Sequence, residues 1–453
     1  MNTFTTFASL IIGSNVKRYT LNITKIDPIN SNSVLLYFTN LSNPPAGSTY
    51  EYSFDGISFS GFSPSQTESP LNISNLTNNT NYTFYIRVVG TETISNDMPI
   101  NFVGLTPTSF TSNKIISYAS SGLPPPTTSG NYRCISATDY GNILIATDVG
   151  IYYSNNYGDT FTKSTNAPTN CTSVSINNKG YALCCNGTLF TGAKLLYFSY
   201  NFGITWTKIT NATITKPSAV FMSQNGTSYV YNYLVDAVST SNRIYRSNDY
   251  FSTTDTSQTV AGNSHRIRLL NFASNGNGVT TGNNLPGYYF NNNLTTTTAM
   301  TTRGLYNNAY AVGISENGRY LSAGTQNTTL NPAQNLSANF YDFETQTTSP
   351  YSSLPNFTIK HILNNGTNGA AFVNVAPIGN NGICYILLDG VNRATSTTAI
   401  LYKYDFNTNT FTNLNIPTLV GNYNSLVNTS PSGNYAVVCS YSTDIYILAP
   451  NPQ

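Results

Sequence analysis

Charged side chains are scarce in this chain: Asp, Glu, Lys and Arg make up 8% of its 453 residues, where about 25% is usual for soluble proteins. The net charge is +2 and the basic residues stand singly along the sequence. Nucleic-acid binding needs clustered cations that release counterions, so it is not expected. With few ion pairs to break, the fold is expected to depend little on pH or salt. Histidine is limited to His265 and His361, and glutamate to Glu51, Glu68, Glu92, Glu316 and Glu344. No apolar run approaches a membrane span, so no membrane insertion is expected. The run Phe7 to Gly13 lacks a preceding basic residue and is too short for a signal peptide, so host secretion is not indicated. None of the six cysteines (Cys134, Cys171, Cys184, Cys185, Cys384, Cys439) falls in a Cys-x-x-Cys pair. They are expected to be buried free thiols, with a Cys171–Cys184 bridge across one hairpin as the alternative, and no metal or cofactor is called for.

What the chain has instead is Asn, Ser and Thr, on which its solubility must rest, and aromatic residues, with 34 Tyr and 23 Phe. Hydrophobic residues recur in short alternating runs, the signature of half-buried strands. Sequons such as those at Asn72, Asn75, Asn186, Asn225 and Asn365 carry no weight where Asn and Ser/Thr are this frequent. The Asn bias resembles that of virion proteins of large DNA viruses, which implies a virion-surface or extracellular location.

After an extension over residues 1–18, residues 19–107 read as seven short strands separated by turn signals. Leu76-x-Asn78-x-Thr80-x-Tyr82 precedes the alternating strand from Thr83 to Val89. This resembles the tyrosine corner of a fibronectin type III sandwich, with Asn78 where that family has Pro and Tyr37 near the place of its core Trp. The resemblance makes Tyr82 structural and the module a spacer. A hairpin is expected over Tyr50 to Phe59, turning at Asp55-Gly56.

Residues 108–453 carry two spaced signatures: Ser154-x-Asn156-x-Gly158-x-Thr160-Phe161 and, 45 residues on, Ser199-x-Asn201-x-Gly203-x-Thr205-Trp206. They resemble the Asp-box, or BNR, repeat of sialidase-like β-propellers, a turn between the third and fourth strands of a blade. Seven turn glycines (Gly141, Gly180, Gly226, Gly278, Gly318, Gly382, Gly433) imply seven blades. The box erodes along the chain. Ser247 to Thr253 has Phe251 where Gly is expected, Asn291 to Thr297 keeps the rhythm alone, and the stretches at Tyr341 and Tyr404 are closer to kelch turns. The last unit holds three strands, so Lys114 to Tyr118 is expected to supply its fourth. The fold class is therefore all-β, a fibronectin type III-like sandwich plus a seven-bladed propeller closed by pairing of N-terminal and C-terminal strands.

The sialidase resemblance implies an arginine triad, a Tyr-Glu pair and an acid. Tyr132-Arg133-Cys134-Ile135 lacks the Pro of the family motif, and Arg266, Arg268, Arg303 and Arg319 are the other triad candidates. Glu316 falls in a predicted surface turn and Glu344 in an outer hairpin, away from a central pocket. Asp139 and Asp148 bracket one strand, but Asp139 reads as a turn former within Asp-Tyr-Gly-Asn. No Ser-His-Asp set or phosphate loop emerges. The reading is a non-enzymatic structural or interaction protein, a virion surface or fibre component mediating attachment. Its partners would be other surface proteins or host glycans. The alternatives are a carbohydrate-active enzyme, which needs two carboxylates facing one cleft, and an assembly factor that holds peptides in an apolar channel. Deleting residues 113–119 is expected to lower the melting temperature of the whole propeller, read by circular dichroism; an unchanged melting temperature would refute the strand closure.

Overall fold

The computed structural model describes residues 19–102 and 113–449, apart from 31, 42–43, 78–79, 125–131, 187–194, 212, 233–242, 255, 260–266, 283–287, 292–293, 295, 300–308, 326–337, 343–371, 390–399, 409, 417–425 and 440–443. The extension over 1–18 and the linker near 105–112 lie outside them. The chain divides into two compact units at Thr106 and Pro107.

The first unit has seven strands: β1 (Leu21–Asn30), β2 (Ser33–Asn40), β3 (Tyr50–Ser53), β4 (Ser60–Gly61), β5 (Leu71–Ile73), β6 (Thr80–Val88) and β7 (Met98–Phe102). They form two sheets, ordered β1-β2-β5 and β4-β3-β6-β7. Alternation decides the faces: Val34, Leu36 and Phe38 of β2 and Phe84, Ile86 and Val88 of β6 are buried. Tyr37 falls on the other phase of β2 and is only partly buried, so it does not fill the place of a core Trp. The Tyr82 hydroxyl accepts a hydrogen bond from the Thr77 amide at 2.8 Å, which ties the start of β6 to the chain leading into it. The turn at Gly56 (φ +73°) is held by the Asp55 carboxylate, which accepts from the Ser58 and Ile57 amides at 2.7 and 2.8 Å. Those amides hold the carboxyl well below the usual range.

The second unit contains seven antiparallel sheets among the described residues. Six lie over residues 132–163, 171–209, 217–259, 267–299, 309–342 and 372–413; the seventh joins Leu426–Thr429, Ala436–Cys439 and Asp444–Leu448 with Lys114–Ser117. In that last sheet Lys114–Ser117 pairs antiparallel with Asp444–Leu448, Ile116 opposite Ile445. Successive first strands pack side by side in sequence order, from Tyr132–Ala137 to Leu426–Thr429, and the last packs against the first. Each first strand is a sheet edge, which leaves backbone groups unpaired. Serines of the preceding sheet satisfy several of them: Ser136 Oγ accepts from the Ile176 amide, Ser173 Oγ from Val220 and Ser175 Oγ from Met222, at 3.1, 3.1 and 2.9 Å.

The turns between third and fourth strands repeat one hydrogen-bond pattern. Ser154 Oγ accepts from the Gly158 amide at 2.9 Å, and Asn156 Oδ1 accepts from Thr160 N at 3.1 Å. Ser199 and Asn201 do the same for Gly203 and Thr205, at 3.1 and 3.0 Å. The third turn keeps the pattern with Asp249 in place of Asn. There Phe251 adopts φ +66° with its ring wholly buried, so a left-handed position normally given to Gly is held by packing. The exits of these turns dock on the segment that follows the preceding sheet's outer strand: the Phe161 amide bonds Ser121 O, in the one-turn helix Tyr118–Ser121, at 2.6 Å, and the Trp206 amide bonds Thr165 O at 3.1 Å. A Cβ on Gly203 would lie 2.4 Å from Leu144 of the first sheet.

One turn glycine is reassigned. Gly276, at φ +86°, makes the turn of the fourth sheet, while Gly278 begins the next strand with Phe272 lying across it, where a Cβ would come within 2.2 Å of the ring. None of the described cysteines forms a disulfide, so no Cys171–Cys184 bridge exists. Trp206 is 3% exposed; Trp206→Ala is expected to cost about 3 kcal/mol in urea denaturation, and a loss below about 1 kcal/mol would sink its role between sheets.

Candidate functional site

All seven sheets of the second unit contribute to one central channel. Its larger cavity, about 110 Å³, is lined by residues of the first strands and by Pro377 just past the sixth. The walls are mainly aliphatic and small: Ile135, Val174, Val220, Leu270 and Val312, interspersed with serines. Cys134 also lines it, but burial pushes its thiol up to about 11, and its Sγ donates to Val174 O at 3.4 Å, so it is no nucleophile. A smaller cavity, about 60 Å³, adjoins toward the turns and shares Ser136, Ser175, Phe221, Asn271, Pro377 and Asn428 with the first.

Around that end of the channel, the turns joining first and second strands hydrogen-bond to one another in a closed circle. Asn178 Nδ2 donates to Asp139 Oδ2 at 2.7 Å, linking sheets one and two. The Asn178 amide donates to Gln224 Oε1 at 2.7 Å, and Asn225 Nδ2 to Ser274 O at 2.7 Å. Ser274 in turn donates through both its amide and its hydroxyl to Glu316. Onward, the Asn317 amide donates to Asn380 Oδ1 at 2.9 Å, and the Asn380 amide to Pro431 O at 3.0 Å. Ser432 closes the circle, its amide and hydroxyl both donating to Asp139 Oδ1, at 2.8 and 2.5 Å. Asp139 is thus a turn residue whose carboxylate joins the first sheet to both its neighbours.

Glu316 corrects the sequence reading. It was expected on a surface turn away from any pocket, but it lines the smaller cavity. Burial pushes its carboxyl up to about 8, opposed by hydrogen bonds from the Gln224 and Ser274 amides and reinforced by the nearby Asp139 charge. Sequence pattern alone places Glu316 in a turn but not on which side of it the carboxyl lies.

The other candidates do not assemble. Arg319 makes a fork with Asp342, at 3.0 and 2.9 Å, and its guanidinium lies 4.7 Å from the Tyr320 ring centre, a pin within the fifth sheet. Asp139 and Asp148 stand at opposite ends of the strand Ile143–Thr147. Arg266, Arg303, Glu344, His265 and His361 lie outside the described residues, as do the side chains of Arg133 and Arg268. Among the described residues no cluster of His, Cys, Asp and Glu is arranged to hold a metal ion, and no helix is long and apolar enough to cross a membrane. The turn residues Ser154, Asn156, Thr160, Ser199, Asn201 and Thr205 bond within their own turns and do not line the channel.

No family model and no curated protein matches the chain. Solved structures do. U3-55K is 10% identical, with a TM-score of 0.50, covering 75% of this chain and 98% of its own. YCF48 from Cyanidioschyzon merolae is 11% identical at the same TM-score, covering 75% and 99%. A chain of the mitotic checkpoint complex is 10% identical, again at 0.50, covering 77% and 98%. Identities this low speak to fold alone, and the fold they show is a β-propeller.

The Glu316 shift has a definite sign. A carboxyl whose folded pKa lies above its ordinary value of 4.5 favours the native state fully below that value, and the benefit is lost as pH rises through 8. Wild type and Glu316→Gln are expected to melt together at pH 5, with the variant roughly 5 °C more stable by pH 9. Parallel melting curves across that window would show Glu316 to be freely hydrated, and the early expectation of pH indifference would then hold.

Proposed function

We propose that this chain is a non-enzymatic interaction protein in which a seven-bladed Asp-box propeller, closed by the pairing of Lys114–Ser117 with Asp444–Leu448, is carried behind a fibronectin type III-like spacer. Its partner is a protein, one side chain of which enters the central channel. The observation that carries the reading is the lining of that channel: aliphatic walls, hydroxyls and amides, with Glu316 the single carboxyl among the described residues lining the two cavities. Glycoside hydrolysis by the common retaining and inverting routes uses two carboxyl groups flanking the bond, and the described lining supplies one.

Glycan recognition draws on exposed aromatic faces and unspent amides. In this propeller many of both are used internally. Tyr229 stacks on Phe272 at 3.7 Å, Phe340 on Tyr404 at 4.2 Å and Phe198 on Tyr250 at 4.3 Å, while Asn178, Gln224, Asn225 and Asn380 bond from turn to turn. A protein partner is therefore favoured over a host glycan. Display on a particle surface, a virion included, accords with the neutral, amide-rich composition. The purified chain should capture peptides from an array and release no sugar from glycans presented beside them. Asn428→Phe, which fills the channel from its wall, should abolish the capture. Reducing sugar appearing in the wells would overturn the reading in favour of a carbohydrate-active enzyme.

A further inference from the structure

The channel is chemically lopsided. Its larger cavity is walled mainly by aliphatic side chains with serines between them, Asn271 and Asn428 line both cavities, and the smaller one adds Gln224 and Glu316. Among the described residues no Lys, Arg or His lines either cavity. A mainly aliphatic cavity adjoining one that holds a carboxyl and several neutral polar groups complements a slender alkyl chain that ends in a cation. Building on the reading of the channel as a partner site, we infer that it receives a lysine side chain, with Glu316 as counter-ion to the ammonium.

The dimensions suit that ligand. A volume of about 110 Å³ is several times the roughly 10–15 Å³ that a single water requires, enough for an unbranched four-carbon stem. The smaller chamber, about 60 Å³, suits a compact ammonium with three donors that can spread over a carboxylate and neighbouring amide oxygens. A guanidinium needs a flat bidentate face, and Glu316 already accepts from the Ser274 hydroxyl. At the wide end, Leu269 is 36% exposed, and Leu426 and Val427 are partly exposed. That apolar rim would be covered by the surface carrying the lysine, which a free polyamine would leave wet.

A bound ammonium gives the Glu316 charge the partner that burial now denies it. Below pH 8 binding should therefore release a proton from Glu316. Asp139 on the first sheet, and Tyr229 with Arg246 on the third, are the other ionisable groups coupled to this pocket. Tyr229 is pushed up to about 12 and so keeps its proton throughout the relevant range.

Calorimetric or NMR titration of the full chain at pH 7 with acetyl-Gly-Lys-Gly-amide tests the inference, alongside the same peptide acetylated on the lysine and 1,5-diaminopentane. The lysine peptide should bind. Acetylating its side chain, or changing Glu316→Gln in a variant whose melt confirms folding, should weaken binding at least about tenfold, as expected for loss of a charge-assisted hydrogen bond. Equal binding of the acetylated peptide, or indifference to Glu316→Gln, overturns the inference, as does tighter binding of the diamine. If acetylated or apolar peptides bind and Asn428→Phe blocks them, the ammonium inference fails while the interaction reading stands. If no peptide on the array binds in an Asn428-dependent way, the interaction reading itself fails.

Discussion

The circle of hydrogen bonds between the inner turns is the constraint on which the propeller depends. Each sheet exposes the free edge of its first strand to the channel, and an unpaired edge is both a cost and an invitation to aggregate. This chain meets the problem with short neutral side chains. Serines of one sheet accept from the next strand's amides, and Asn, Gln, Ser and Asp side chains tie one turn to the next. Asp139 holds the first and last turns together from residues that are 293 apart in sequence. The scarcity of charge and the excess of Asn and Ser thus have a structural cause: neutral groups can be buried with their hydrogen bonds satisfied, whereas ions at these positions would carry a larger desolvation cost.

The outer turns are coupled to that circle through their backbone. Tyr157 and Phe202 take left-handed angles one residue before the box glycines. Their amides donate to Gly141 O and Gly180 O at 3.0 and 2.8 Å, and their rings lie over those glycines, where a Cβ would come within 2.5 and 2.6 Å. Phe406 repeats the bond to Gly382 O in a sheet whose sequence has lost the box. The contact outlives the motif because it needs a reversed chain and a ring against a bare turn, not a particular Ser or Asn.

With the wall strands and most inner turns satisfied by neutral groups, and Asp139 engaged by Asn178 and Ser432, Glu316 stands apart as the carboxyl lining the cavities among the described residues. Glu316 is part of the circle through Ser274 and also part of the cavity lining. Structure and the proposed recognition therefore meet at one side chain, whose charge is disfavoured by burial and would be favoured by a cationic partner.

Sequence alone determined what depends on near neighbours. The turns at Ser154 and Ser199 are legible because their hydrogen bonds span two to four residues, the Tyr82 contact because it spans five, and strand faces because side chains alternate. The erosion of the box at Phe251 was visible, though not that burial of its ring would hold the same turn. Tertiary structure alone decided which residues meet across sheets: Asp139 as the join between distant turns, and Glu316 as a channel residue. Those outcomes rest on contacts separated by about 40 to nearly 300 residues, where direction and burial depend on how neighbouring sheets stack, and no local pattern in the chain encodes that.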